Sequence, residues 1–390
     1  MKYITRTVWI LSLVSLFTDI AGEMLYPVIP VYLQSIGFSV VFIGILEGIA
    51  EATSGFSKGY FGKLSDSMGK RVPFVQFGYA LSTISRPLMA VFTFPLWVIF
   101  ARTLDRFGKG IRTGARDAIL SDEATPATKG KVFGFHRSMD TLGAVLGPSL
   151  ALLYLYSYPE NYKVLFFIAF IPGALAVLGS LFIKESKNTE IRPARNTKVN
   201  FLSFIKYWKE APADYRKLMF GLLTFTLFNS SDIFLLLKAK ESGLTDTQVI
   251  GVFIFYNFIY ALFAFPLGSI ADKIGLKKMY IIGLIIFTMV YFGMGLSNNF
   301  YIVAAMFLLY GVYSAATEGI SKAWISNICD KKDTATAIGT YTAFQSILTM
   351  IASSLAGLLW YNFGPSLTFI VTAFASLSVI VYISMFVKKQ

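Results

Sequence analysis

Apolar residues run along this chain in stretches of about twenty, broken by short polar clusters, and the stretches recur twelve times. They cover 8–34, 40–61, 72–93, 95–115, 132–156, 163–184, 217–238, 247–270, 279–297, 300–327, 335–360 and 365–387. A helix crossing the hydrocarbon core of a bilayer needs roughly 20 such residues, so each stretch predicts one membrane-spanning helix. Together they take up about two thirds of the chain, leaving short loops and one longer linker. That excludes an extramembrane catalytic domain and predicts an all-α integral membrane protein.

The polar breaks carry a repeat. Gly62-Lys63-Leu64-Ser65-Asp66-Ser67-Met68-Gly69-Lys70-Arg71 returns as Gly268-Ser269-Ile270-Ala271-Asp272-Lys273-Ile274-Gly275-Leu276-Lys277-Lys278, with Gly62, Asp66 and Gly69 each displaced by 206 positions, from 62 to 268. An internal repeat decides architecture before any single residue does. Here it predicts two pseudo-symmetric six-helix halves, 1–184 and 217–390, joined by a linker over 185–216. Parallel repeats about an axis along the membrane normal are one plan on which transporters are built.

Composition agrees with the pattern. Of 390 residues, 55% are hydrophobic and 15% charged, with 37 Phe, too little charge to clothe a soluble domain of this size. The net charge of +13 follows topology. Lys2 and Arg6, then Lys63, Lys70 and Arg71, then Arg116, Lys129 and Lys131, then Lys273, Lys277 and Lys278, then Lys331 and Lys332, and finally Lys388 and Lys389 fall at alternate breaks. Loops around 35–39, 93–94 and 297–300 have no basic residue, while Lys238 and Lys240 are the exception. Basic loops stay cytoplasmic, which places both termini in the cytoplasm of a plasma membrane, a bacterial inner membrane. The linker carries Lys187, Arg192, Arg195, Lys198, Lys206, Lys209 and Arg216, and 201–208 suits an amphipathic helix on the membrane surface. Charge distributed in this way argues against nucleic acid as a partner. The first stretch is too long and too acidic for a signal peptide. With one cysteine, Cys329, and one histidine, His136, neither an internal disulfide nor a conventional zinc cluster is expected.

The twelve stretches, the basic centre and the twin hairpins resemble the major facilitator superfamily over essentially the whole chain. Gly62 to Arg71 is similar to that family's Gly-x-Leu-x-Asp-Arg-x-Gly-Arg-Lys hairpin, with Ser67 in place of the usual Arg. The resemblance implies a gate formed by Gly62, Asp66, Gly69, Lys70, Arg71, Gly268, Asp272 and Gly275. Physically, glycine permits a tight turn, and a carboxylate can meet a helix N-terminus or a basic partner. Arg106-Phe107-Gly108-Lys109-Gly110 resembles the family's Arg-x-x-Gln-Gly, with Lys for Gln. Gly143, Gly147 and Pro148 resemble the Gly-x-x-x-Gly-Pro signature of antiporter members, although Ser149, Leu150, Ala151 and Leu152 stand where further glycines usually follow.

Ionisable residues inside the stretches carry the chemistry. Asp19 and Glu23 share one helical face, as do Glu47 and Glu51. Arg86 lies in the third stretch, Arg102, Asp105, Arg106, Lys109 and Arg112 in the fourth, and His136, Arg137 and Asp140 open the fifth. A charge at the bilayer centre costs about 3 kcal/mol on insertion scales, so these groups face water or one another. Asp19, Glu23, Glu47, Glu51, Asp105 and Arg106 are the candidates for proton coupling. Asp105 with Arg106, or Glu51 with Arg106, equally fits an ion pair that fixes helix packing. For Arg112, Arg116 and Asp117 a gate or interfacial role is expected, and for Lys58 and Lys238 snorkelling.

The second half is sparser. The 206-residue offset maps Glu23 onto Asn229, Tyr26 onto Asp232 and Arg112 onto Glu318. Tyr26, Arg86, Arg102, Asn229, Asp232, Tyr256, Asn257, Tyr310, Glu318 and Tyr341 are the candidates for binding solute. No nucleotide loop, nucleophile with a histidine base or cofactor motif is present, which argues against an enzyme. The expectation is a monomeric, proton-coupled secondary transporter of a small organic solute, exporting by proton antiport. Uptake of an anionic solute such as an organic acid or carboxylate siderophore is the alternative. A transport-inactive receptor or scaffold is the alternative of another class.

Overall fold

The computed structural model describes residues 4–185, 200 and 202–387. Lys2, Lys187, Arg192, Arg195, Lys198, Phe201, Lys388 and Lys389 lie outside the described residues.

The first crossing is built from α1 (Arg6–Leu25) and α2 (Val28–Ser35), separated at Tyr26 and Pro27, where a residue without an N–H ends the hydrogen-bond ladder. Five crossings follow: α3 (Val40–Met68), α4 (Val72–Val91), α5 (Pro95–Asp122), α6 (Lys129–Ser157) and α7 (Tyr162–Ser180). After the short α8 (Ser203–Glu210), the seventh crossing is again two helices, α9 (Ala213–Phe228) and α10 (Ile233–Glu241). The sequence pattern predicts an unbroken helix there. The Asn229-Ser230-Ser231-Asp232 run opens it, because such side chains compete for backbone hydrogen bonds. Under the 206-residue offset this break answers the one at Tyr26 and Pro27. Next come α11 (Asp246–Ile274), α12 (Leu276–Leu296), α13 (Phe300–Ile328), a 3-10 turn (Lys331–Asp333) and α14 (Thr334–Phe386). Gly364 divides α14 into the last two crossings with φ 82° and ψ 172°, a left-handed region that only glycine enters cheaply. The protein is thus an all-helical membrane fold of twelve crossings.

Local sequence starts and stops these helices. Thr5 accepts from the Val8 N–H at 3.3 Å, Ser39 from Phe42 at 3.2 Å, and Asn299 from Tyr301 at 2.9 Å. Thr245 and Gln248 form a reciprocal capping box at the start of α11. The repeated hairpins differ from the loops expected from sequence: Gly62 to Met68 and Gly268 to Ile274 are the last turns of α3 and α11. The reversal itself falls on Gly69 (φ 63°) and Gly275 (φ 98°).

The crossings form two compact units. The described residues within 1–125, 139–210 and 330–343 form the first, and those within 126–138, 211–329 and 344–390 the second. The first three turns of α6 therefore belong to the second unit, and the first turns of α14 to the first. In the first unit α5 packs on α3 and α4, and α7 on α1 and α4. Tyr32 and Phe166 meet there with ring centroids 5.0 Å apart, among Leu25, Met89 and Leu165. In the second, α13 packs on α11 and α12, and Phe287 stacks on Tyr291 at 4.0 Å beside Phe225 and Tyr313.

Leu96, Leu153, Leu296 and Met385 are largely exposed. A water-soluble protein rarely leaves so many large apolar groups outside, whereas lipid requires it. Among the described residues, eight segments are long and apolar enough to span a bilayer on composition alone.

Candidate functional site

Glycine lets α5 approach its neighbours closely enough for its charges to meet theirs. A Cβ on Gly108 would lie 2.8 Å from the Gly78 carbonyl oxygen, and one on Gly110 would lie 2.3 Å from Ser57 Cβ. Arg102 makes a fork with Glu47, Nε to Oε1 at 2.7 Å and Nη2 to Oε2 at 2.8 Å, the bidentate geometry that guanidinium favours. Its third nitrogen lies 3.5 Å from Asp105, whose other oxygen is 3.9 Å from Arg86 Nε. Arg86 also donates to the Thr18 carbonyl at 3.2 Å. Arg106 and Lys109 sit among Glu23, Glu51 and Asp105. Four helices thus contribute to one chain of alternating charge.

A second cluster lies beside it. Arg116 is bound to Asp117 at 2.9 Å and donates to Ser15 at 3.3 Å. Ser15 donates to Asp140, which is also 4.0 Å from Arg116. Asp19, one turn beyond Ser15, is hydrogen-bonded to Asp140 and faces Lys109. Gly143 and Gly147 make this possible: a Cβ on Gly143 would come within 2.7 Å of the Leu16 oxygen and 2.9 Å of Asp19 Cβ, and one on Gly147 within 2.7 Å of the Ile20 oxygen. Pro148 lies inside α6.

Several expectations change here. Arg112 and Arg116 are buried helix residues: Arg112 donates to Ser82 at 2.8 Å and lies over the Tyr79 ring at 4.6 Å. Lys238 does not snorkel but is buried and donates to Asn298. Asp140 and Lys109, read from sequence as buried charges but not among the candidates for coupling or binding, belong to the cluster, as does Ser15, which the sequence did not single out. The signal that could have paired Asp140 with Asp19 was its place one turn before Gly143.

In the second unit, Asp232 at the helix break accepts from Tyr256 at 2.5 Å and Tyr310 at 2.6 Å. Asn229 donates to Tyr313 at 3.2 Å. Glu318 is 3.9 Å from Arg137, whose guanidinium lies over Tyr260. Asn257 instead donates to the Phe253 carbonyl of its own helix at 3.0 Å. Tyr341 is buried in the α14 arm of the first unit. Tyr26 is half-exposed at the first helix break.

The hairpin carboxylates act as helix caps. Asp66 Oδ2 accepts from the Thr336 N–H at 2.6 Å and from its hydroxyl at 2.8 Å, in the first turn of α14. Asp272 accepts from the N–H groups of Gly130 at 2.7 Å and Lys131 at 2.9 Å, in the first turn of α6. Both place an anion where unpaired N–H groups and the helix dipole favour it. Gly62 would meet the Ala335 oxygen at 2.4 Å and Gly268 the Gly130 oxygen at 2.2 Å if either carried a Cβ. Arg71 is buried, bound to Asp66 at 3.3 Å, to Asp122, and to the Lys331 carbonyl at 3.2 Å. Glu185 in turn caps α4, accepting from Arg71 N–H at 2.6 Å and Val72 N–H at 2.8 Å. Lys70 is exposed. Asp66 lies beyond the apolar stretch of α3, and burial pushes its carboxyl up to about 6, against the pull of the Arg71 guanidinium and the Thr336 bonds.

Two internally repeated helical units, apolar outside and charged within, define a membrane transporter. The sequence profile of the Major Facilitator Superfamily matches residues 11–256 and 218–390, and the chain belongs to that family. It is 32% identical over 375 residues to an MFS-type transporter of Methanocaldococcus jannaschii, covering 95% of this chain and 92% of the relative. It is 26% identical over 385 residues to the staphyloferrin B transporter of Staphylococcus aureus, covering 94% and 88%. The solved human organic anion transporter MFSD10 is similar in fold, with TM-score 0.81 at 16% identity over 97% of this chain and 99% of that one.

Proposed function

We propose that this transporter couples solute movement to protons by alternating access, and that it exports its solute by proton antiport. The observation carrying the proposal is the charge chain of the first unit, where Asp19 meets Asp140 beside Lys109 and Glu47 meets Arg102 beside Asp105. Adding a proton to an acid there changes which cations are paired, so two conformations can differ in solute affinity by the differential interaction alone. The antiporter-like Gly143, Gly147 and Pro148 element supports export, since it seats α6 directly on the α1 turn bearing Asp19.

In this reading the hairpin residues Gly62, Asp66, Gly69, Lys70, Arg71, Gly268, Asp272 and Gly275 form the gate, Asp66 and Asp272 by capping the α14 and α6 arms. The basic hairpins and both termini face the cytoplasm of a bacterial inner membrane, and the chain works as a monomer. Asp232 with Tyr256, Tyr310 and Asn229 supplies the contacts of the second unit to the solute, a carboxylate and phenols suited to a cationic or amphiphilic molecule.

One observation favours uptake of an anionic solute as the second reading. Arg86 is buried, and its Nη1 has no hydrogen-bond partner, leaving a guanidinium edge for a carboxylate. The names of the staphyloferrin B transporter and the organic anion transporter are in keeping with it. Proteoliposomes with an internal pH dye separate the two. Proton movement opposite to cationic amphiphiles supports antiport, whereas proton and carboxylate moving together establishes the second reading.

A further inference from the structure

The transport reading uses the contact between Asp19 and Asp140 without placing a proton on either acid. Asp140 is buried, is bonded to Ser15 on α1, and is 4.0 Å from Arg116 on α5. Asp19 reaches it from the next turn of α1, across the gap that Gly143 leaves open. Two carboxyl groups can bond to each other only through a proton, since two carboxylates at that separation repel. The groups facing the pair are Glu23 from α1, Arg86 from α4, and Lys109, Arg116 and Asp117 from α5.

Position along α6 gives the pair a second property. Residues 126–138 of this helix belong to the second unit and those from 139 onward to the first, so Asp140 stands at the changeover. On one side of it, Gly130 and Lys131 are held by Asp272, and Arg137 faces Tyr260 and Glu318. On the other, Gly143 and Gly147 rest on α1. A continuous helix joins the carboxyl to the capped arm over about three turns.

We propose that Asp140 is a proton-coupling residue that holds one proton jointly with Asp19, and that the charge of this pair acts on the capped arm of α6. The inference rests on the proton-coupled reading and names a residue for it. When the proton leaves to water, the pair gains one negative charge, the Asp19–Asp140 bond breaks, and Lys109 and Arg116 are drawn to the two carboxylates. The α1–α6 contact then changes at the turn that leads into the Asp272 cap.

The test is infrared difference spectroscopy of the full chain reconstituted in lipid, titrated through the near-neutral range without added solute. In an Asp66→Asn background, which removes the hairpin carboxyl that titrates in the same range, a protonated-carboxyl C=O band is expected that is lost in Asp19→Asn and equally in Asp140→Asn, and kept in Glu23→Gln. Ser15→Ala preserves both acids and is expected to shift that band, which keeps the test open should Asp140→Asn fail to fold. A band that persists in Asp140→Asn, or one unmoved by Ser15→Ala, overturns the inference. If the band behaves as expected and solute flux still ignores a proton gradient, the proton-sharing stands and the transport reading fails.

Discussion

The Asp66 carboxylate holds both the N–H and the hydroxyl of Thr336, at 2.6 and 2.8 Å and 270 positions away in sequence. Asp272 holds the N–H of Gly130 at 2.7 Å. The offset of 206 that carries Asp66 to Asp272 also carries Gly130 to Thr336. The repeat thus extends beyond the hairpins to the helix starts they cap, and each cap joins a hairpin to a helix arm from the other half of the sequence.

The Asp66 cap is expected to depend on pH in a defined direction. Its carboxyl lies at about 6 in the fold against 3.8 when free, so the fold favours the protonated form. The associated stabilisation is full below the free value and is lost as pH rises through about 6. Asn carries no titrating proton at this position. The melting temperature of wild type relative to Asp66→Asn should therefore fall between pH 4 and 7; a constant difference across that range would contradict the assignment.

Close approach at the two hairpins predicts paired effects from a single methyl group. Gly62→Ala places a Cβ 2.4 Å from the Ala335 oxygen, and Gly268→Ala places one 2.2 Å from the Gly130 oxygen. Either forces a backbone shift costing about 1–3 kcal/mol. Amide exchange should rise at Thr336 in the first variant and at Gly130 and Lys131 in the second. Gly48→Ala, with no atom within 4 Å of the new methyl, should leave both sites protected.

Removing one partner of the Arg102–Glu47 fork should be worse than removing both. Arg102 is nearly fully buried while the Glu47 side chain is 35% exposed, so Glu47→Gln should cost about 2–3 kcal/mol, below the range for a fully buried pair. Glu47→Leu with Arg102→Met should recover part of that loss in a denaturation series. Additive losses in the double variant would show that the pair is not coupled.

Much of this architecture was legible because the bilayer imposes a length on every apolar run and because the hairpin repeat is literal. Gly69 and Gly275 could be placed at turns from the residue type alone. Helix extent was less legible: 62–68 reads as a polar loop, yet it continues α3, since a transporter helix runs past the apolar stretch once its polar end finds partners such as Thr336 and Arg71. The break at Asn229 to Asp232 was hidden inside an apolar window. Asp19 and Asp140 were both legible as acids inside the stretches, whereas their pairing was not, because the contact joins helices 121 positions apart and depends on Gly143 for space. Arg116 looked like a loop cation because hydropathy averages conceal a buried charge that Asp117, Ser15 and Asp140 satisfy.

The most direct measurement of the central claim compares wild type with Asp19→Asn in proteoliposomes, for solute exchange at equal pH and for accumulation driven by a pH gradient. Proton coupling through the first unit predicts that Asp19→Asn retains exchange and loses gradient-driven accumulation. Accumulation that survives in Asp19→Asn with its pH dependence unchanged would contradict it.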